Sequence, residues 1–147
     1  MGAILEATPA MSPWWAVEMR SVESAYVTTP KYVEASNRLH LGKGQPTDEE
    51  RAWAWQVDSD RYTVPGPPAA FAAALEQISG HPAYADWRRR AEPSASDATA
   101  ELLDGKLVLT MPGAHAYGRD ADGGHVAEVE ILYRDVAALQ AAVAALA

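Results

Sequence analysis

Apolar positions recur along this chain at two spacings, and the spacing changes near residue 97. Before that point a period close to 3.6 dominates. Trp15, Met19, Val22 and Tyr26 are four, three and four residues apart, which places them on one helical face. Ser12-Pro13 ahead of them reads as an N-cap followed by proline at the first helical position. Trp15, Val17 and Met19 also alternate as a strand would, but the alternation loses phase after Arg20, so a helix is expected. Thr29-Pro30 repeats the start signal, and Gly42 closes a second helix over Pro30–Leu41. Thr47-Asp48-Glu49-Glu50 is a capping box that predicts a helix to about Val57. There too Trp53, Trp55 and Val57 alternate, and a strand reading stays open. Val64-Pro65-Gly66-Pro67-Pro68 breaks the chain. Phe71, Leu75 and Ile78 then stripe a helix that ends at Gly80, and His81-Pro82 restarts one through Trp87 to about Ala91. The weakly patterned residues 1–11 predict a loose arm or an edge strand.

From Asp97 the period is two. Asp104-Gly105 between Ala98–Leu103 and Lys106–Met111 is a type I′ hairpin signal. A two-residue turn pairs Leu102 with Leu107, Ala100 with Leu109 and Ala98 with Met111, all on one face. A third strand, His125–Tyr133, carries Ala127, Val129, Ile131 and Tyr133 on one face and Glu128 and Glu130 on the other. Asp135 then caps a helix over Val136–Leu146. The expected fold class is α+β. A helical N-terminal part (12–92) packs with a small antiparallel three-stranded meander and a C-terminal helix (97–147), in one domain over 1–147. The ending, Glu130 to Val143, resembles the strand–helix unit of dimeric ferredoxin-like barrel proteins, including EthD-like and antibiotic-biosynthesis monooxygenase-like families. The likeness is compositional.

Composition narrows the function. The chain has 147 residues, no cysteine and a net charge of -8. A disulfide framework, a thiolate metal site and a cysteine nucleophile are excluded. A pI near 4.9 argues against nucleic acid as a partner, because phosphate contacts need Lys and Arg. The longest apolar run, Ala69–Leu75, is too short to span a bilayer, and no targeting signal is evident, so a cytoplasmic protein without a membrane partner is expected. Abundant Ala, and Arg in excess of Lys, fit a GC-rich bacterial or phage genome. Five Trp are many for this length. They fill a core, or some of them line a ligand or partner surface, with Trp53, Trp55 and Trp87 the candidates.

No HExxH, GxGxxG, P-loop or G-x-S-x-G motif occurs. If Met111 paired with Ile131, the same register would bring His115, Tyr117 and His125 to one end of the sheet's buried face. These three are the candidate catalytic residues. Asp120 and Asp122 of the adjoining loop, with His125, are the candidate metal ligands. Pro112 and Gly113 can shift that register. Arg88, Arg89 and Arg90 suit a helix C-terminus and offer an acidic partner a contact. No cofactor is called for. The expected role is binding a protein partner or a second copy, as an accessory, immunity-type or phage-encoded factor. The alternative is a small-ligand pocket protein or enzyme of secondary metabolism that uses the His/Tyr site.

Overall fold

The computed structural model describes residues 12–92 and 95–146. The expected N-terminal arm or strand over residues 1–11 lies outside them. Among the described residues, eight strands form one antiparallel sheet, and five helices flank it. The expected small meander attached to a helical N-terminal part is therefore corrected, because four of the eight strands precede residue 64.

The first two arise where a helix was expected. β1 (Ala16–Glu18) and β2 (Ser24–Thr28) make a hairpin with Ala16 opposite Thr28. The period-two pattern wins here because Trp15, Ala25 and Val27 all enter the core. Val22, assigned to the buried helical face, is instead 68% exposed in the connecting loop. The loop is pinned from the far end of the chain: the Tyr133 backbone N–H donates to Glu23 O, and its hydroxyl donates to Ser21 O.

α1 (Pro30–His40) forms as expected. The Thr29 hydroxyl does not cap it but donates to Ala127 O. The capping box at Thr47–Glu50 is present in both directions, yet α2 (Asp48–Arg51) is a single turn. The chain then extends into β3 (Trp55–Asp58) and β4 (Arg61–Thr63). The expected helix to Val57 fails because Trp55 is fully buried and its backbone joins the ladder opposite Val126. α3 (Pro68–Ser79) and α4 (Pro82–Arg90) follow, with the His81 side chain accepting from Ala83 N–H at the start of α4.

β5 (Thr99–Leu103) and β6 (Lys106–Thr110) pair in the expected register, Leu102 with Leu107 and Ala100 with Leu109. Asp104 and Gly105 both take positive φ, as the turn requires. β7 (Ala116–Arg119) and β8 (His125–Leu132) complete the sheet. β8 does not continue the β5–β6 hairpin as a meander. Val126 lies opposite Trp55 and Arg119, and Glu128 lies opposite Thr28 and Tyr117. β2 and β3 therefore lie end to end along one edge of β8, and β7 lies along the other. α5 (Tyr133–Ala145) starts directly after β8, so Asp135 stands in its first turn instead of capping it. Asp135 is buried, and its Oδ1 accepts from the Ser96 hydroxyl at 2.6 Å.

α3 and α5 pack on each other, and α5 also covers β5 and β8. Between them and the sheet lies the main core, which draws on residues from Trp15 to Val143. Phe71 is its pivot, with Trp15 and Trp55 meeting its ring edge-on at 5.8 and 5.7 Å. α1 sits against β8 and β7 over a smaller cluster of Tyr32, Ala35, Ala54 and Ala127. Among the described residues, no helix is long and apolar enough to cross a membrane.

Candidate functional site

The observed register separates the candidate residues. Tyr117 pairs with Glu128, and the Glu130 N–H donates to His115 O at 2.9 Å. His115 and Tyr117 thus meet at Glu130, on the outward face of β8. His125 begins that strand five residues earlier, about 16 Å away along it. The expected register differed because the Met111–His115 segment is not a ladder strand. Met111 N–H bonds Asp60 O, and Ala114 N–H turns back to Met111 O.

Glu130 is a hub. The buried Ser24 hydroxyl donates to Oε2 at 2.6 Å, and the Tyr26 hydroxyl reaches the same oxygen at 3.3 Å. His115 Nδ1 and the Tyr117 hydroxyl stand 3.3 and 3.4 Å from Oε1. Burial, then the Glu130 charge, pushes the Tyr117 phenol above its ordinary pKa. Two residues earlier, Glu128 holds the Thr28 hydroxyl and the Arg20 guanidinium, which also lies over the Tyr26 ring. His115 itself is largely exposed. The arrangement can orient an imidazole, but it sits on an open sheet face.

The second cluster gathers around Asp120 in the β7–β8 loop. Its side chain is fully buried and its Oδ1 accepts the N–H groups of Asp122 and Gly123 at 3.0 and 3.1 Å. Oδ2 faces Arg51 Nε at 2.9 Å and His125 Nδ1 at 3.2 Å. Arg51 also reaches Asp122 at 3.2 Å. Burial raises the Asp120 pKa, but Tyr32, His125, the loop N–H groups and Arg51 together outweigh it and hold the carboxyl below its usual value. Tyr32 is fully buried, and its phenol is pushed up by that burial and then by the neighbouring Asp120 charge. The structure therefore brings Asp120, Asp122 and His125 together, with ligand atoms within 4.8 Å of one another.

The third feature is a groove between α3, α5 and the β5–β6 hairpin, of about 480 Å³. Ala72 and Leu75 of α3, Val143 and Ala144 of α5, and Leu102 and Leu107 of the hairpin form most of it. Leu75 and Leu107 are its buried floor, and Leu102 is an exposed rim. Glu76 and Gln140 are the polar residues among its described lining.

The remaining candidates are scattered. Trp55 is interior. Trp53 stacks on Trp14 at 4.0 Å and lies under the Lys31 ammonium. Trp87 packs on Tyr84 and Tyr133. Arg89 and Arg90 pair with Asp86, while Arg88 borders a shallow recess beside Trp87.

Comparison with protein families, with curated proteins and with solved structures found no match for this chain. Any functional reading therefore rests on these three features.

Sequence reasoning did not single out Ser24, Tyr26, Glu130, Arg51 or Tyr32. Only Glu130 left a signal, as an acidic residue on the polar side of an alternating strand. Ser24 and Tyr26 reach Glu130, and Arg51 and Tyr32 reach Asp120, from more than 60 residues away, and local spacing cannot report them.

Proposed function

We propose that this protein acts by binding a protein partner, which seats an amphipathic segment in the groove between α3, α5 and the β5–β6 hairpin. The observation that carries the reading is the groove itself. Side chains of interior type line a recess of about 480 Å³ that stays open to solvent. Recesses of this size and polarity are where apolar anchors bind. The occupant's chemistry follows from the lining. Glu76 is exposed at the groove and forms no salt bridge among the described residues. A partner segment with apolar anchors on one face and a Lys or Arg beside them satisfies both features. The net charge of -8 steers such a cationic partner toward the surface.

A photo-crosslinking amino acid placed at Leu102, with Asn37 on α1 as the control position, tests this in the cells that make the protein. The expected result is one adduct at 102 and none at 37, with the linked peptide carrying apolar anchors next to a cation. Glu76→Lys should reduce the adduct strongly. Absence of an adduct, or an adduct indifferent to Glu76→Lys, would overturn the reading.

A second reading, a small-ligand site, is favoured by one observation, the convergence of His115 and Tyr117 on Glu130. It requires that natively purified protein carry a ligand whose removal shifts the His115 imidazole signals in an NMR spectrum. A native mass equal to the bare chain would remove it.

A further inference from the structure

The Asp120 cluster is separate from the groove, and its chemistry is independent of the partner reading. Asp120-Ala121-Asp122-Gly123-Gly124-His125 places two carboxylates on the short β7–β8 loop and an imidazole on the first residue of β8. The N–H bonds to Asp120 Oδ1 fix the loop, while Oδ2 accepts from Arg51 Nε at 2.9 Å and faces His125. Two buried polar atoms beside Asp120 stay unsatisfied. The Tyr32 hydroxyl, in a residue with no exposure, faces Asp120 but completes no hydrogen bond of full geometry. His125 Nδ1 makes none either, although it is 3.2 Å from Asp120 Oδ2. A closed structural network would satisfy both atoms, because buried polar groups nearly always find partners. Ligand atoms arranged around a cation instead approach one another without bonding.

We propose that Asp120, Asp122 and His125 bind a divalent transition metal of the zinc class, and that Arg51 holds the two carboxylates together until the metal arrives. Ligand bonds near 2.0–2.2 Å in a tetrahedral site put neighbouring donor atoms about 3.3 Å apart. The Asp120–His125 separation already matches this, and exposed Asp122 has freedom to close. Arg51 is the competitor, since its guanidinium bridges Asp120 and Asp122. One charge spread over that guanidinium serves two carboxylates, whereas a divalent ion brings two charges and also takes the imidazole nitrogen. Displaced Arg51 has acceptors in reach, Gln45 Oε1 at 3.3 Å and Asp48 at 3.8 Å. An imidazole in the set favours zinc over calcium or magnesium. Three protein ligands leave a fourth position free, and Arg51 and His125 both line a polar cavity of about 270 Å³ that can supply it with water or an anion.

Calorimetric titration of the full chain with ZnCl2 tests the proposal, with CaCl2 as a second arm and Co²⁺ absorption as an independent readout. The expected result is one saturable Zn²⁺ per chain, at least ~10-fold tighter than Ca²⁺. His125→Ala and Asp122→Asn should each weaken it by ~10-fold or more, and Arg51→Met should tighten it. Co²⁺ should give visible bands in the wild type that His125→Ala loses. A wild type that takes up no zinc stoichiometrically overturns the proposal. So does zinc binding that both ligand substitutions leave unchanged, because the ion would then sit on other histidines. The Arg51→Met chain reports on the same ligands should either ligand variant fold poorly.

Discussion

Glu50 shows how one side chain can hold two jobs. Its carboxylate accepts the Thr47 N–H in the capping box and takes a bidentate contact from Arg38 of α1. The Arg38 hydrogen bonds, then the Thr47 N–H, depress its pKa from 4.5 to about 2. A carboxylate whose pKa falls on folding stabilises the fold above its unfolded pKa and loses that contribution as pH drops through the folded value. The loss should therefore run from about 4.5 down to about 2. Replacing Arg38 by Met removes the cause, so the gap in melting temperature between wild type and Arg38→Met should narrow across this window. Thermal melts at a series of pH values would show it, and a gap that stays constant to pH 2 would refute it. Gly66 offers a second test at this scale. Its φ is +84°, and a Cβ there would lie 2.6 Å from the Trp14 ring. Gly66→Ala should cost roughly 1–3 kcal/mol from backbone strain alone, with more from displacing Trp14 from Trp53. Denaturant melts measure the cost, and a neutral result would refute the close approach of Trp14 to Gly66.

At the scale of elements, the sequence was legible where a local signal decides the structure. Thr29-Pro30, the Thr47 capping box, Pro68 and Asp104-Gly105 each mark a boundary because the neighbouring backbone settles its own hydrogen bonds there. Legibility failed where a short apolar run fits two periods. Trp15 to Met19 and Trp53 to Val57 satisfy both a helix and a strand pattern, and the decision comes from a distant strand. β2 and β3 exist because β8, some 70–100 residues later, offers them one edge in succession. The candidate site divides in the same way. Asp120, Asp122 and His125 are near in sequence and were visible together, whereas Tyr32 and Arg51, which meet them, were not. Trp55 tests which interaction forces β3 to be a strand. Its indole is fully buried against Phe71, so Trp55→Ala should destabilise the protein by about 3–5 kcal/mol. If extension of β3 depends on that anchor, hydrogen exchange at the Val57 amide, which donates to Gly124 O, should quicken beyond the global change. Equal acceleration at Val57 and at a central β8 amide would show that the anchor serves the core and not β3 in particular.

The whole molecule is held by pairings that cross its own midpoint. β8 and β6, from the C-terminal half, pair with β2, β3 and β4 from the N-terminal half. α3 from the first half packs on α5 from the second. Phe71, Trp15 and Trp55 thus share a core with Ile131, Val136 and Leu139. The helical and β-rich textures of the two halves suggest a boundary near Glu92, but the boundary is one of composition. Without the C-terminal half, the strands β2 and β3 lose the partner along their inner edge, and α3 loses α5. Without the N-terminal half, β8 retains only β7, and the β5–β6 hairpin is left without β4 beside it. Each piece keeps only two separate two-stranded hairpins, and an isolated hairpin buries too little apolar surface to offset its chain entropy. Residues 1–92 and 93–147 produced as separate chains should each lack a cooperative melt and a dispersed amide spectrum. Mixed in equal amounts, they should regain both, because the pairings that define the sheet are noncovalent and lie between the pieces. A dispersed spectrum from either piece alone would contradict this interdependence and restore the boundary that composition suggests.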